Sequence, residues 1–306
     1  MLKTRDIRIR DPYIVYENDK YYMYSSNCIG GVKVFGDKAL AVVVYESTDL
    51  ENWSEPKVVF SYTPTKESWI QADLWAPEVH KYNGKFYAFL SFKSKTTIRG
   101  TFIAVSDTPN GTFTLLSETP QTPEEFSCID GTLYMENDTP YMVFSRDWIE
   151  NYIPKENYYM GEIWATELSK DLSKRVGQPF KLFASKDAPL SADSPNVTTF
   201  EGKTYVRYGS DAPYLTKMND GRLLLTWSPM LKDMYVVLTA VSNNGSIKGE
   251  WIHGEAPLFA DNGGHAMFFT DKCGQQRMCI HHPEKCGKER ALILKVSQTE
   301  NGITVN

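Results

Sequence analysis

An all-β fold, a five-bladed β-propeller, is what this sequence predicts, and three observations carry the prediction. A short motif with an acidic or small-residue entry, often with Pro, recurs five times along 306 residues. Each recurrence opens two alternating, aromatic-rich stretches around a tight turn and leaves room for two further strands. No sustained helical period appears, which argues against a parallel sheet with crossover helices.

The hairpins follow in order. The first runs Arg10-Asp11-Pro12-Tyr13-Ile14-Val15-Tyr16, turns at Glu17-Asn18-Asp19-Lys20 and returns through Tyr21–Ser26. The second pairs Trp75–Tyr82 with Lys85–Ser91 across Asn83-Gly84, the strongest short hairpin signal. Ile129–Tyr134 with Pro140–Ser145 form the third, Asp211–Leu215 with Leu223–Ser228 the fourth, and Gly263–Phe269 with Gln276–His282 the fifth. Outer strands are expected at Val42–Ser47, Phe102–Ser106, Ile163–Leu168 and Val236–Val241, each before a turn with an aromatic: Trp53, Phe113, Phe180 or Trp251. Four strands per unit, repeated five times, is a propeller pattern, and the whole chain, 1–306, reads as one domain. A pair of β-sandwiches is the competing architecture, but it gives no reason for the fivefold spacing.

Composition narrows the function. The chain is 42% hydrophobic and 23% charged, with 18 Tyr, 15 Phe and 7 Trp, a load suited to strands and to sugar faces. A net charge of -5 and a pI near 5.6, without any Lys/Arg-rich run, give no footprint for nucleic acid. No apolar stretch approaches the roughly 20 residues that span a bilayer, and the opening Met1–Asp6 lacks the apolar centre of a secretory signal. The expectation is therefore a cytoplasmic protein, unless a signal was trimmed. Five cysteines, an odd and scattered set, read as reduced thiols, and the spacing of Cys273, Cys279, His281, His282 and Cys286 fits no zinc pattern. Oligomeric state is not readable.

In a propeller the innermost strands line a central channel, so equivalent residues of successive units converge on one mouth. Asp11, Trp75-Ala76, Asp130, Asp211 and His265 hold those positions. An Asp before Pro or Gly often does no more than cap a turn. Turn capping, however, gives no reason for three of them to face one cavity. Like charges in such a pocket raise one another's pKa, and paired carboxyl groups are what glycosidic cleavage requires.

At these residues the sequence closely resembles glycoside hydrolase family 43. Arg10-Asp11-Pro12-Tyr13-Ile14, Leu74-Trp75-Ala76-Pro77-Glu78-Val79, Ile129-Asp130-Gly131-Thr132-Leu133-Tyr134, Gly161-Glu162-Ile163, Asp211-Ala212-Pro213-Tyr214-Leu215 and Gly263-Gly264-His265 carry the likeness, in order and over nearly the whole chain. The resemblance implies a five-bladed propeller that hydrolyses arabinose- or xylose-containing plant polysaccharide or oligosaccharide with inversion. It implies Asp11 as general base, Asp130 as the residue that tunes and orients the acid, and the acid at the start of the fourth unit.

The usual residue at that last position is Glu, and this chain has Asp211. One methylene less sets the carboxyl back by about 1.5 Å on an unchanged backbone. Asp211 remains the expected acid because it holds the motif position, with Glu162 as the alternative. Trp75 is expected to wall the pocket, and Trp148, in the aromatic insertion 146–160 with Tyr152, Tyr158 and Tyr159, to bind substrate. The resemblance places His265 near the axis, where some relatives hold a calcium or other ion. A lone His is no calcium signature, so no cofactor is required. A non-catalytic carbohydrate-binding propeller is the alternative function, and a retaining enzyme of similar shape the neighbouring one.

Overall fold

The structure, a computed structural model, describes residues 1–26, 40–299 and 302–306, with the backbone alone at 28–29 and 32–33. It is all-β, and among the described residues helix is confined to three single 3-10 turns and the short helix Pro189–Asp193.

Five sheets follow the predicted hairpins. The first orders Leu2–Lys3, Asn52–Trp53, Leu40–Ser47, Lys20–Ser26 and Tyr13–Glu17, with Lys57–Tyr62 also on Leu40–Ser47. The second runs Ala72–Tyr82, Lys85–Lys93, Arg99–Ser106, Thr114–Leu115, and the third Cys128–Glu136, Thr139–Arg146, Glu162–Glu167, Phe180–Ala184. The fourth is Asp211–Lys217, Leu223–Ser228, Leu238–Ser242, Trp251–His253, and the fifth Gly264–Thr270, Gln276–His282, Arg290–Thr299, Gly302–Val305. In these last four each strand pairs antiparallel with the next. The Asn83-Gly84 turn places both residues at positive φ, 47° and 79°, as its dipeptide demands.

A further sheet departs from the expectation. Tyr152–Ile153, Tyr158–Met160, Lys203–Tyr208 and Asn196–Phe200 make a four-stranded side sheet, with Tyr158–Met160 parallel to Lys203–Tyr208. Part of what reads as an aromatic loop is thus strand, and Trp148, Tyr159, Phe200, Tyr205 and Tyr152 pack ring on ring along it.

Alternation puts one face of each strand against the next sheet. The apolar clusters accordingly lie between consecutive sheets: Trp53, Phe92 and Phe102 between the first two, Phe89 and Phe144 between the second and third, Val143 and Trp227 between the third and fourth, Val237 and Ile280 between the fourth and fifth. Met267 and Cys279 of the fifth sheet join the cluster of the first. The opening strands touch in the same cyclic order, and Gly264–Thr270 touches Tyr13–Glu17. At this junction the segment before the first strand is tied down as well, Ile9 N–H donating to Glu289 O at 3.2 Å.

Cys128 and Cys279 are buried, Cys273 and Cys286 exposed, and all four are unpaired thiols. The Cys28 side chain lies outside the described residues. Among the described residues no helix is long and apolar enough to cross a membrane.

Candidate active site

The site is built from a repeated backbone irregularity. Asp11, Ala76, Asp130, Ala212 and His265, one per sheet, all take positive φ between 43° and 59°. In the last four sheets the pairing register shifts next to that residue. A left-handed non-glycine residue costs on the order of 1 kcal/mol and persists only where neighbours hold it. At Asp130, His265 and Asp11 a side chain from the second strand of the preceding sheet does so. Ser91 Oγ accepts Asp130 N–H at 2.9 Å, Ser228 Oγ accepts His265 N–H at 2.9 Å, and His281 Nδ1 accepts Asp11 N–H at 3.3 Å. Such bulges re-aim side chains that would otherwise alternate across the sheet.

The re-aimed residues share a cavity of about 380 Å³, lined by Asp11, Trp75, Asp130, Trp148, Asp211 and His265 among others. All six were singled out from the sequence. The cavity lies within the size range of small-ligand sites.

Two imidazoles and a guanidinium surround Asp11. Its Oδ1 lies 3.1 Å from His265 Nδ1 and 3.0 Å from His281 Nδ1. Arg10 Nε is 3.6 Å from Oδ2. Burial alone would raise the Asp11 pKa, but His265 and Arg10 outweigh it and hold the carboxyl well below the usual range. Burial likewise works against the charged form of His265, yet Asp11 and then Asp130 lift its pKa to about 9. A second row locks this set: His281 Nε2 meets Glu284 Oε2 at 2.6 Å, and Glu284 takes Arg10 Nη1 at 2.6 and 2.7 Å.

The opposite wall is ordered by burial and like charge. Asp211 is raised by desolvation first, then by Asp130 and Asp147. Desolvation also raises Asp130, which is 4% exposed, opposed by His265 and reinforced by Asp11. Asp130 Oδ2 accepts the Ala212 N–H at 3.0 Å, which ties this carboxylate to the backbone just after Asp211. Tyr235 O–H reaches Asp211 Oδ2 at 3.4 Å. The two indoles each carry a guanidinium over the ring, Arg99 at 4.4 Å from Trp75 and Arg207 at 4.5 Å from Trp148. Arg99 is in turn held by Asp73 at 3.4 Å and Asp147 at 3.3 Å.

Glu162 is placed elsewhere. It does not line the cavity, and its carboxylate is committed to Arg146 at 3.1 Å, Lys181 at 3.3 Å and Trp164 Nε1 at 2.9 Å. Calcium asks for six to eight oxygens. Among the described residues no three His, Cys, Asp or Glu side chains converge as a metal cluster, and His265 is committed to Asp11. The side chains around His265 therefore do not fit such an ion, and no step below passes through one.

Sequence reasoning overlooked Tyr235, Glu284, Asp73 and Asp147, and placed His281 in the fifth hairpin and among the terminal cysteines without giving it a part in the site. Tyr235 and Glu284 lie outside any repeat motif. His281, by contrast, was findable: it occupies the strand position that Ser91, Ser145 and Ser228 hold in earlier units.

The family model described as Glycosyl hydrolases family 43 matches residues 6–303. An endo-arabinase of Bacteroides thetaiotaomicron superposes with a TM-score of 0.84 at 32% identity, covering 98% of each chain. The extracellular endo-alpha-(1->5)-L-arabinanase 1 of Bacillus subtilis is 24% identical over 217 residues, 66% of this chain and 59% of that protein. Xylosidase/arabinosidase 43A of Humicola insolens is 24% identical over 249 residues, 69% of this chain and 75% of its own.

Proposed function

The chain belongs to family 43 of the glycosyl hydrolases, and from that premise we propose that it hydrolyses arabinose- or xylose-containing polysaccharide or oligosaccharide with inversion, in a single five-bladed propeller domain over 1–306. The cyclic contact of the five opening strands and the apolar clusters between consecutive sheets support the propeller. The arabinanase and xylosidase relatives support the sugar class.

One observation carries the reaction: two aspartates of one cavity are pushed in opposite directions, Asp11 towards the carboxylate and Asp211 towards the acid. A base and an acid poised together are what an inverting hydrolysis needs. Asp11 takes a proton from a water as its oxygen attacks the anomeric carbon. Asp211 delivers its proton to the departing glycosidic oxygen as the carbon–oxygen bond breaks. Asp130 raises the Asp211 pKa by its charge and fixes the Ala212 backbone beside it. Trp75 and Trp148 wall the site for the sugar. Turnover leaves Asp11 protonated and Asp211 ionised, and exchange with solvent restores both.

The test is a screen on arabinan, arabinoxylan and xylo-oligosaccharides, with product anomers followed by proton NMR beside an Asp11→Asn variant. Release of the inverted anomer by the parent and not by the variant is expected. Binding without release would favour the non-catalytic alternative, and a retained anomer would overturn the single-displacement mechanism.

A further inference from the structure

Asp211 raises a problem of reach and of direction. A side chain one methylene short of Glu has less freedom to bring its proton to a bond, and a carboxylic acid holds its proton on either of two oxygens. Only one of those can face the leaving group. Something must decide which oxygen is protonated.

Tyr235 is placed to decide it. Its ring is buried and lines the same cavity, and its hydroxyl meets Asp211 Oδ2 at 3.4 Å. The ring itself is clamped. It stacks on His281 with centroids 5.4 Å apart and planes 15° from parallel. On another side it packs on the backbone of Gly264, where an added Cβ would come within 2.6 Å of two ring carbons, so that residue must be glycine while the tyrosine holds its place. The Tyr235 N–H is held by Asn262 Oδ1 at 3.2 Å. Ring and backbone are thus fixed, and with them the place of the hydroxyl oxygen. A hydroxyl so anchored is a directional donor.

We propose that Tyr235 is the positioning residue of the acid: its hydroxyl donates to Oδ2 of Asp211, which places the transferable proton on Oδ1 and aims it at the glycosidic oxygen. This rests on the assignment of Asp211 as acid. Tyr235 gives up no proton in the reaction. Once Asp211 has lost its own, the same O–H remains bonded to the new carboxylate, and that bond strengthens because hydrogen bonds to charged acceptors are stronger. The donation therefore favours the transition state over the ground state, which is what makes it catalytic in effect.

Leaving-group dependence tests this, because a departing phenolate of low pKa needs no proton whereas a poor leaving group does. Phenyl and 2,4-dinitrophenyl glycosides of α-L-arabinofuranose, β-D-xylose and α-1,5-arabinobiose would be compared for the parent, Tyr235→Phe and Asp211→Asn, using the series that the parent hydrolyses. Phe keeps the ring on His281 and Gly264 and removes only the oxygen, and melting curves of each variant establish folding. For Tyr235→Phe a fall in kcat of about tenfold is expected on the phenyl glycoside, the scale of one lost hydrogen bond to a charged group. Little change is expected on the dinitrophenyl glycoside, and little change in KM on either. Asp211→Asn should show the same selectivity more steeply. If Asp211→Asn discriminates and folded Tyr235→Phe slows both substrates equally, or neither, the positioning role is overturned. If Asp211→Asn does not discriminate, the acid assignment itself has failed. A merely structural tyrosine would lower both rates alike.

Discussion

The wall of the cavity that carries Asp11 and the wall that carries Asp211 both open on a left-handed residue, Asp11 itself and Ala212, yet they push their carboxyl groups towards opposite charge states. Around Asp11 stand two imidazoles and a guanidinium within 3.6 Å. Asp211 has two buried carboxyl groups acting on it and a tyrosine hydroxyl against one oxygen. Backbone geometry therefore places the side chains, and the neighbours arriving from other sheets assign the chemistry. Removing or neutralising those neighbours is the way to break the comparison.

The largest effect is expected where the charge itself is lost. Asp11→Asn should lower kcat by about a thousandfold, the scale of a missing general base, with KM little changed. Initial rates on the best substrate of the screen measure it, and a loss of less than tenfold would remove Asp11 from the role of base.

Next comes the acid limb of the pH–rate profile. With Asp11 needed as carboxylate and Asp211 as acid, activity should be bell-shaped, its acid limb below the ordinary carboxylate range and its alkaline limb above it. Asp130 and Asp211 titrate together, so the alkaline limb belongs to the pair. Arg10→Met removes one cation from Asp11 and leaves burial less opposed, so the folded pKa rises and the acid limb moves upward. A shift of about one pH unit is expected, the low end of what one close opposite charge contributes. The alkaline limb should move less, since Asp130 and Asp147 act on Asp211 more strongly than Arg10 does.

Stability should separate the two walls in the opposite sense. A carboxyl whose folded pKa is raised contributes stability below its unfolded pKa, near 4, and that contribution is lost as pH rises through the folded value. Asp211 is such a group, so ionising it in its buried site destabilises the fold. Asp211→Asn should thus raise the melting temperature by a few degrees at pH 9 and by less at pH 4. Asp11 is the reverse: its depressed pKa contributes stability above pH 4 that disappears as pH falls through the folded value. A melting curve for Asp211→Asn that gains nothing at high pH would mean that the carboxyl is not held against its charge.

How much of this could be read beforehand follows from what a one-dimensional pattern encodes. Alternation and turn dipeptides are local, so the five hairpins stand where the sequence puts them, their ends coinciding or shifted by one to three residues. Repetition then carries Asp11, Asp130, Asp211 and His265 to one cavity without any knowledge of contacts. The side sheet escaped because its first two strands are only two and three residues long, below any period. Tyr235 and Glu284 escaped for another reason. Glu284 meets Arg10 from 274 residues away in the chain, and Tyr235 reaches Asp211 from a separate short hairpin, Met230–Leu231 with Met234–Tyr235; no spacing rule reports such meetings. The left-handed bulge was equally hidden, since Asp, Ala and His do not announce positive φ as glycine does.

The smallest effect concerns Glu162, which the sequence offered as a substitute acid because Asp211 is short. Its carboxylate is 10% exposed and bound by Arg146, Lys181 and Trp164, and it does not line the cavity. A carboxylate so bound, outside the cavity, is not within reach of the glycosidic oxygen. Glu162→Gln should therefore leave kcat within about twofold on phenyl and dinitrophenyl glycosides alike, an effect well below that of a missing acid. Its cost should appear in folding, because two cations lose their counter-charge at a largely buried site, and a drop in melting temperature without a change in leaving-group dependence is the expected pattern. A steep loss confined to the phenyl glycoside would instead mean that the acid lies at Glu162, and that Asp211 with its tyrosine serves another purpose.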